Sequence, residues 1–419
     1  KNACVSLNRS GDYVLNVWFR AQVPKIQLRQ PDNGVGIFTD AKVRWTRNLM
    51  HNLFSKISIT FNELDVHEFD NYWLDMNFQF RARGSKRIGY RNMIGDIAAM
   101  TEFVGVGEAL GTGGFFNLPL PFFFTEDSGV ALPIASLPFN DVKINYDLRD
   151  LHELLVVYPG TSGTGGPGGV GTGRSATCSD VVVYNTNKTP ELGTPTTYAT
   201  YSVVHNDERV KMGDSVRDVA IRQVQTTQAC PFKDVSSKST FDIRLSHSII
   251  LFTFAAENVT LQKWSAGCGG ERSNYTTEIE YAGLDPISES TLVYENTPRV
   301  CMASDYYSLV APWFWSKAIP DETGYHMYSY AIWPWAATCP SGSTNYSKLA
   351  NVSITHEMTQ AAQSAADTVN PLDKDGEPIL YPNASGDEVP LPQKFVHIFH
   401  AVNWNVARIA NGSLGHPVL

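Results

Sequence analysis

The sequence has no apolar run long enough to cross a bilayer. The longest candidates are Ser248–Ala256, nine residues, and Phe115–Phe124, which Asn117, Pro119 and Pro121 interrupt. A spanning helix needs roughly 18–20. No charged-then-apolar leader opens the chain, and Lys1 is not an initiator Met. Charge is scarce: 18% of the 419 residues are charged, and 42 acids outnumber 33 bases for a formal net charge of −9. That balance argues against a dedicated nucleic-acid binder, which shows a basic patch. Cysteine motifs are missing as well. Cys4, Cys178, Cys230, Cys268, Cys301 and Cys339 come no closer than 33 residues, with no C-x-x-C or Cys/His ligand spacing. Six thiols in a chain this long do not make a disulfide scaffold or a zinc site. The expectation is free thiols in a reducing compartment, with no disulfide and no metal.

Catalytic signatures fail in turn. Gly163-Thr-Gly165-Gly-Pro-Gly168 is a literal G-x-G-x-x-G, but Pro167 sits inside it and more Gly and Ser follow instead of a helix. It reads as an exposed loop. Asp373-Lys-Asp375-Gly376-Glu377 resembles a calcium loop until Pro371 and Pro382 occupy positions that need acids, so it reads as a turn. None of the ten histidines lies in H-x-x-H or H-E-x-x-H, and no G-x-S-x-G elbow occurs. His205-Asn-Asp207-Glu208 reads as a helix start with Asn206 or Asp207 as N-cap. No catalytic, cofactor-binding or metal-ligating residue is singled out, and the chain is not read as an enzyme.

What is present is period-two alternation. Asp12–Arg20, Lys56–Phe61, Asp141–Arg149, Phe241–Leu245, Thr291–Tyr294, Tyr325–Tyr330 and Phe395–Phe399 read as strands rich in β-branched and aromatic residues. Helical signal is confined to Trp45–Phe54, Phe69–Phe80 and a turn or two at Asp207–Met212. Strands without interleaved long helices imply sandwiches and not βαβ units. The halves echo each other. Leu118-Pro-Leu-Pro121, a strand at Asp141–Arg149, a long Gly-rich loop and a closing strand at Thr197–Val204 are matched later in the chain. The later counterparts are Ile332-Trp-Pro-Trp335, a strand at Leu349–Ile354, a long loop over 357–392 and a closing strand over 395–402. One sandwich unit is used twice, joined near His205–Gly213, with the boundary between 203 and 216.

Trp313, Phe314, Trp315, Tyr325, Tyr328, Tyr330, Trp333 and Trp335 crowd into 23 residues. Such a set serves a core or a subunit interface; the competing reading is a sugar-stacking platform. Eight Asn-x-Ser/Thr sequons, at Asn8, Asn187, Asn258, Asn274, Asn345, Asn351, Asn383 and Asn411, are read mostly as unmodified.

The ordered blocks resemble one family across almost the whole chain. They are Arg44-Trp-Thr-Arg-Asn-Leu-Met-His-Asn-Leu53, Ile59-Thr-Phe-Asn62, Asn92-Met-Ile-Gly95, Asn117-Leu-Pro-Leu-Pro-Phe-Phe-Phe124, Asp127-Ser-Gly-Val-Ala-Leu-Pro133 and Ser136-Leu-Pro-Phe-Asn140. Later come Ser215-Val-Arg-Asp218, Tyr294-Glu-Asn-Thr-Pro298, Ser304-Asp-Tyr-Tyr-Ser308, Gly342-Ser-Thr-Asn-Tyr346 and Gly415-His-Pro-Val-Leu419. The chain resembles the major capsid proteins of large icosahedral DNA viruses of iridovirus, ascovirus and marseillevirus type. Two departures stand out: Glu126 where a basic residue is usual before Asp-Ser-Gly, and the individual Gly-rich loop over 159–173.

The resemblance implies an all-β double jelly roll, two eight-stranded sandwiches with short helices in loops. The division expected is 1–204, carrying a long exposed loop over 157–196, and 205–419. The resemblance also implies a homotrimeric, pseudo-hexagonal capsomer that tiles an icosahedral shell. Its partners are neighbouring capsomers, minor capsid proteins and an internal viral membrane, with no direct nucleic acid and no cofactor. The protein is expected in the virion, assembled in host cytoplasm. The alternatives are a carbohydrate-binding sandwich on the particle surface and a hydrolase with paired carboxylates. The family pattern also implies an upstream segment that supplies a first strand and an inner-face arm. The loop over 159–173 is expected at the outward tip of the first roll.

Overall fold

The computed structural model describes all residues except 31–35, 162–172, 234, 236, 237, 263–267, 280, 282 and 416–419. The expectation for the Gly-rich loop therefore falls mostly outside the described residues.

The first half forms two antiparallel sheets. The strands are β1 (Asn2–Ser6), β2 (Tyr13–Gln22), β3 (Phe54–Phe61), β4 (Leu64–Phe69), β5 (Phe115–Pro119), β6 (Val142–Leu148) and β7 (Thr196–Ser202). One sheet runs β1-β6-β3-β4 and the other β7-β2-β5. Alternation sets the inner face over Val17, Phe19 and Ala21 of β2, and a register shift opposite Thr200 and Tyr201 brings Val14 to burial as well. Burying each such Val or Phe is worth about 1.5–3 kcal/mol.

The second half repeats the plan. Its strands are β8 (Arg217–Thr226), β9 (Ser239–Asp242), β10 (Ser248–Asn258), β11 (Ile287–Tyr294), β12 (Thr297–Ala303), β13 (His326–Ser329), β14 (Val352–Met358) and β15 (Phe395–Ala410). The sheets run β9-β14-β11-β12 and β8-β15-β10-β13. In chain order this is a complete eight-stranded jelly roll. The first half matches it strand for strand except at one place. Among the described residues, β7 has no neighbour where β15 has β8, so the first roll shows seven principal strands, one fewer than the eight the resemblance implies.

The rolls share a core. Ile250, Leu251 and Ala255 of β10, with Ile398 and Val402 of β15, join the cluster that fills the first roll. Phe252, Phe254, Ile249 and Ala256 of the same β10 fill the second roll. Both faces of β10 are therefore covered, which is why its sequence shows a continuous apolar run and no alternation.

Helices occupy connections. α1 (Asn71–Arg81) and α2 (Gly84–Ile94) lie between β4 and β5. α3 (Asn206–Asp214) links the halves. The N-cap of α3 is His205, ahead of both Asn206 and Asp207, the two candidates in the sequence, because its Nδ1 accepts from Asp207 N–H at 3.4 Å. A π-helical turn, Tyr306–Val310, runs directly into α4 (Ala311–Trp315). α2 and the Tyr306–Trp315 helix were not visible in the sequence pattern.

Candidate functional site: inter-roll seam and exposed helix

The polar residues that the fold buries converge on the seam between the rolls. Asp75 of α1 is fully buried and holds four donors. Asn48 Nδ2 at 2.9 Å and His51 Nδ1 at 2.6 Å meet Oδ1, while Ser273 Oγ at 2.5 Å and Tyr275 OH at 2.9 Å meet Oδ2. The first pair belongs to the first half and the second pair to the β10–β11 connection, so one carboxylate ties both halves. Glu271, also buried, bonds Arg44 and Tyr281 and accepts from Thr46 Oγ1 at 3.2 Å. Glu257 at the end of β10 accepts from Tyr72 OH at 2.9 Å and Gln262 Nε2 at 3.0 Å. Burial pushes its carboxyl up to about 7, against the opposing pull of Tyr72 and Arg272. Asp70 caps α1 through Trp73 N–H at 2.8 Å and reaches His400 Nε2 of β15 at 2.8 Å. Burial opposes the Asp70 charge, yet His400 and the cap hold its carboxyl below the ordinary range.

These carboxylates are saturated by donors. That arrangement makes a rigid joint between the rolls. Asp150, His152 and Glu153 place one ligand atom each within 4.8 Å of one another near the surface, and Lys1 Nζ already meets Asp150 at 2.8 Å.

Glu126 lies between Arg81 of α1, at 2.9 Å, and Arg222 of β8, which it touches more closely. Burial lowers both guanidinium pKa values, and the carboxylate supplies the counter-charge. The residue at which the chain departs from the pattern it resembles is thus an inter-roll ion pair.

A family model described as "Large eukaryotic DNA virus major capsid protein" matches residues 208–415, and one described as "Major capsid protein N-terminus" matches 1–198. The major capsid protein of Invertebrate iridescent virus 3 is 40% identical, over 100% of this chain and 86% of the relative. That of Frog virus 3 is 35% identical, over 99% and 86%. The chain belongs to this family. Among solved structures, the PBCV-1 virus capsid quasi-atomic model superposes with a TM-score of 0.68 at 17% identity, covering 100% of this chain and 93% of that one. The Faustovirus major capsid protein gives 0.67 at 13%, covering 98% and 88%. These neighbours are double jelly rolls, and so is this chain.

A major capsid protein acts through its surfaces, and the aromatic cluster is where the surface is unusual. Tyr325 and Trp335 are buried, and Tyr328, Tyr330 and Trp315 are half-buried. Trp313 is 70% exposed and Phe314 68%, with Leu309, Val310, Ile332 and Trp333 also open. Leu309, Val310, Trp313 and Phe314 follow helical spacing, so they share one outward face. No charged residue occurs over 306–316. The cluster therefore divides: two of its eight members enter the core, three are half-buried and three lie on the surface.

The cysteine expectation needs correction. Cys178 and Cys268 form a disulfide, with Cα atoms 5.4 Å apart; Cys4, Cys230, Cys301 and Cys339 are free and exposed. Sequence spacing missed the pair because its members, 90 residues apart, lie on loops of different rolls that meet only at the seam. Two sequons are buried in the second half: Asn258 and Asn274 have amides bonded to Glu278 O at 3.2 Å and 2.8 Å. A glycan does not fit there.

Proposed function

We propose that this chain is the shell-building subunit of a large DNA virus, acting by self-association into trimeric, pseudo-hexagonal capsomers. The observation that carries the reading is the rigid pairing of two rolls in one chain. Six rolls per trimer approximate sixfold packing while the two halves stay free to differ. Closed threefold symmetry needs heterologous contacts, each patch meeting a different patch on the next copy. The uncharged, outward Leu309–Phe314 face is the subunit-contact material, since aromatic and aliphatic side chains dominate interface cores. Neighbouring capsomers and minor capsid proteins meet the more polar rim, an internal viral membrane lies beneath, and nucleic acid is not contacted directly.

The division proposed is 1–204 for the first roll and 205–419 for the second. The protein assembles in host cytoplasm and resides in the virion. Negative-stain microscopy of the purified chain tests the reading. Particles with six-lobed outlines and a threefold axis support it; isolated two-lobed particles at all concentrations contradict it. Saturable glycan binding quenched at Trp313 and Trp333, from a monomer, supports the carbohydrate-binding alternative instead.

A further inference from the structure

Cys178 lies in the connection between β6 and β7 of the first roll, and Cys268 in the connection between β10 and β11 of the second. The loops around them are already docked. Gly269 N–H donates to His152 O at 3.1 Å, Gly270 N–H to Leu155 O at 3.2 Å and Arg272 N–H to Thr46 Oγ1 at 3.0 Å. The approach is close enough that a Cβ on Gly269 would lie 2.1 Å from Glu153 O. The Glu271 and Asp75 networks close the same seam from within. The two sulfurs are thus brought together by contacts that do not need the S–S bond. Cys268 is buried, at 6% exposure, while Cys178 is half-buried. An external thiol or disulfide therefore reaches the pair from the Cys178 side.

We propose that Cys178 and Cys268 form a redox-controlled clasp between the rolls. It is open while the chain folds and assembles in a reducing cytosol and closed once the particle meets oxidising surroundings. The two compartments rest on the capsid reading; the pair itself rests on the structure. With glutathione disulfide as oxidant, the Cys178 thiolate attacks one glutathione sulfur and forms a mixed disulfide, expelling one glutathione thiolate. The Cys268 thiolate then attacks the Cys178 sulfur and expels the second. One S–S bond breaks and one forms, two electrons pass to glutathione, and the two cysteine protons end on the released thiols. Closing a 90-residue loop restricts the unfolded chain, so the clasp adds stability without moving the folded seam. Locking after assembly leaves misplaced loops free to rearrange during folding.

The test uses the full wild-type chain, equilibrated either with glutathione or with glutathione disulfide, alkylated and digested with trypsin without reduction. The oxidised sample should give a linked pair of peptides, 175–188 joined to 264–272, and four thiols titratable in denaturant; the reduced sample should give six. Protein alkylated directly in a reducing cytosol should lack the link. Dithiothreitol should lower the melting temperature of the oxidised chain by about 5 °C or more, with no change in Cys178→Ser. Six thiols in the oxidised sample, a link through Cys4, Cys230, Cys301 or Cys339, or a link already complete in the cytosolic sample would overturn the clasp. Trimers with six thiols would sink the clasp and leave the capsid reading intact. A monomer that still closes the Cys178–Cys268 bond reversibly would uphold the clasp and sink the capsid reading.

Discussion

In the second roll β8 lies along β15, with Arg217 opposite Ile409 and Thr226 opposite His400, and gives that sheet its fourth principal strand. In the first roll the corresponding sheet stops at β7, whose outward edge carries no strand among the described residues. The interiors differ too. The second roll buries His356 and His397 with ring centroids 4.8 Å apart, stacked among Phe232, Phe241 and Phe254. His356 Nδ1 meets Ser290 Oγ at 2.8 Å, while Nε2 of both rings has no hydrogen-bond partner among the described residues. Among the described residues the first roll buries His67 against Phe69 and Phe122 near Arg222 of the seam, and His51, whose two ring nitrogens meet Asp75 and Tyr90. One strand plan therefore tolerates different core chemistry, because the sheets need only inward side chains of suitable volume.

The largest predicted contrast is acid sensitivity. Burial lowers the pKa of His397 and of His67 to about 3 and that of His356 well below its ordinary value, the last aided by His397 and His326. A base held neutral in the fold stabilises above its unfolded pKa near 6.5 and loses that contribution as pH falls toward the folded value. By pH 4 the loss is about 3 kcal/mol for each of His397 and His67, and His356 adds in the same direction. Tryptophan fluorescence and hydrogen exchange between pH 7 and 4 should show the interior of the second roll opening first. His397→Phe should flatten its pH dependence. Equal opening of both rolls would erase the contrast.

Next in size is the link between the rolls. Glu126→Lys places a third cation beside Arg81 and Arg222 and should cost about 3–5 kcal/mol. Urea unfolding should change from one transition to two as the rolls uncouple. A single unshifted transition would show that the ion pair does not join them.

The smallest effect on folding should come from the exposed helix. Trp313→Ser should change the unfolding free energy by no more than about 0.5 kcal/mol, while sedimentation shows a smaller assembly. Loss of folding without loss of assembly would place Trp313 in the core.

Strands with one wet face were legible. Asp141–Arg149 alternates, and β6 forms there over Val142–Leu148. Phe69–Phe80 announced α1, which starts at Asn71 behind an Asp70 cap. β10 was legible only as an apolar run, because burial on both faces removes the period that marks a strand. The seam was illegible for a different reason. Asp75, Glu257 and Glu271 are ordinary acids until α1 and the β10–β11 loop bring donors from up to 227 residues away. The Cys178–Cys268 pair hid in the same way. At Glu126 the sequence marked a departure, and only the fold showed Arg222 waiting on the other roll.

The most direct test of self-association through two fused rolls is the solution mass of the purified chain by light scattering across a dilution series. Three copies of the 46.3 kDa chain, about 139 kDa, is the mass expected, falling when Trp313 and Phe314 are both replaced by Ser. A mass of 46.3 kDa at every concentration, unchanged by that replacement, would contradict the account.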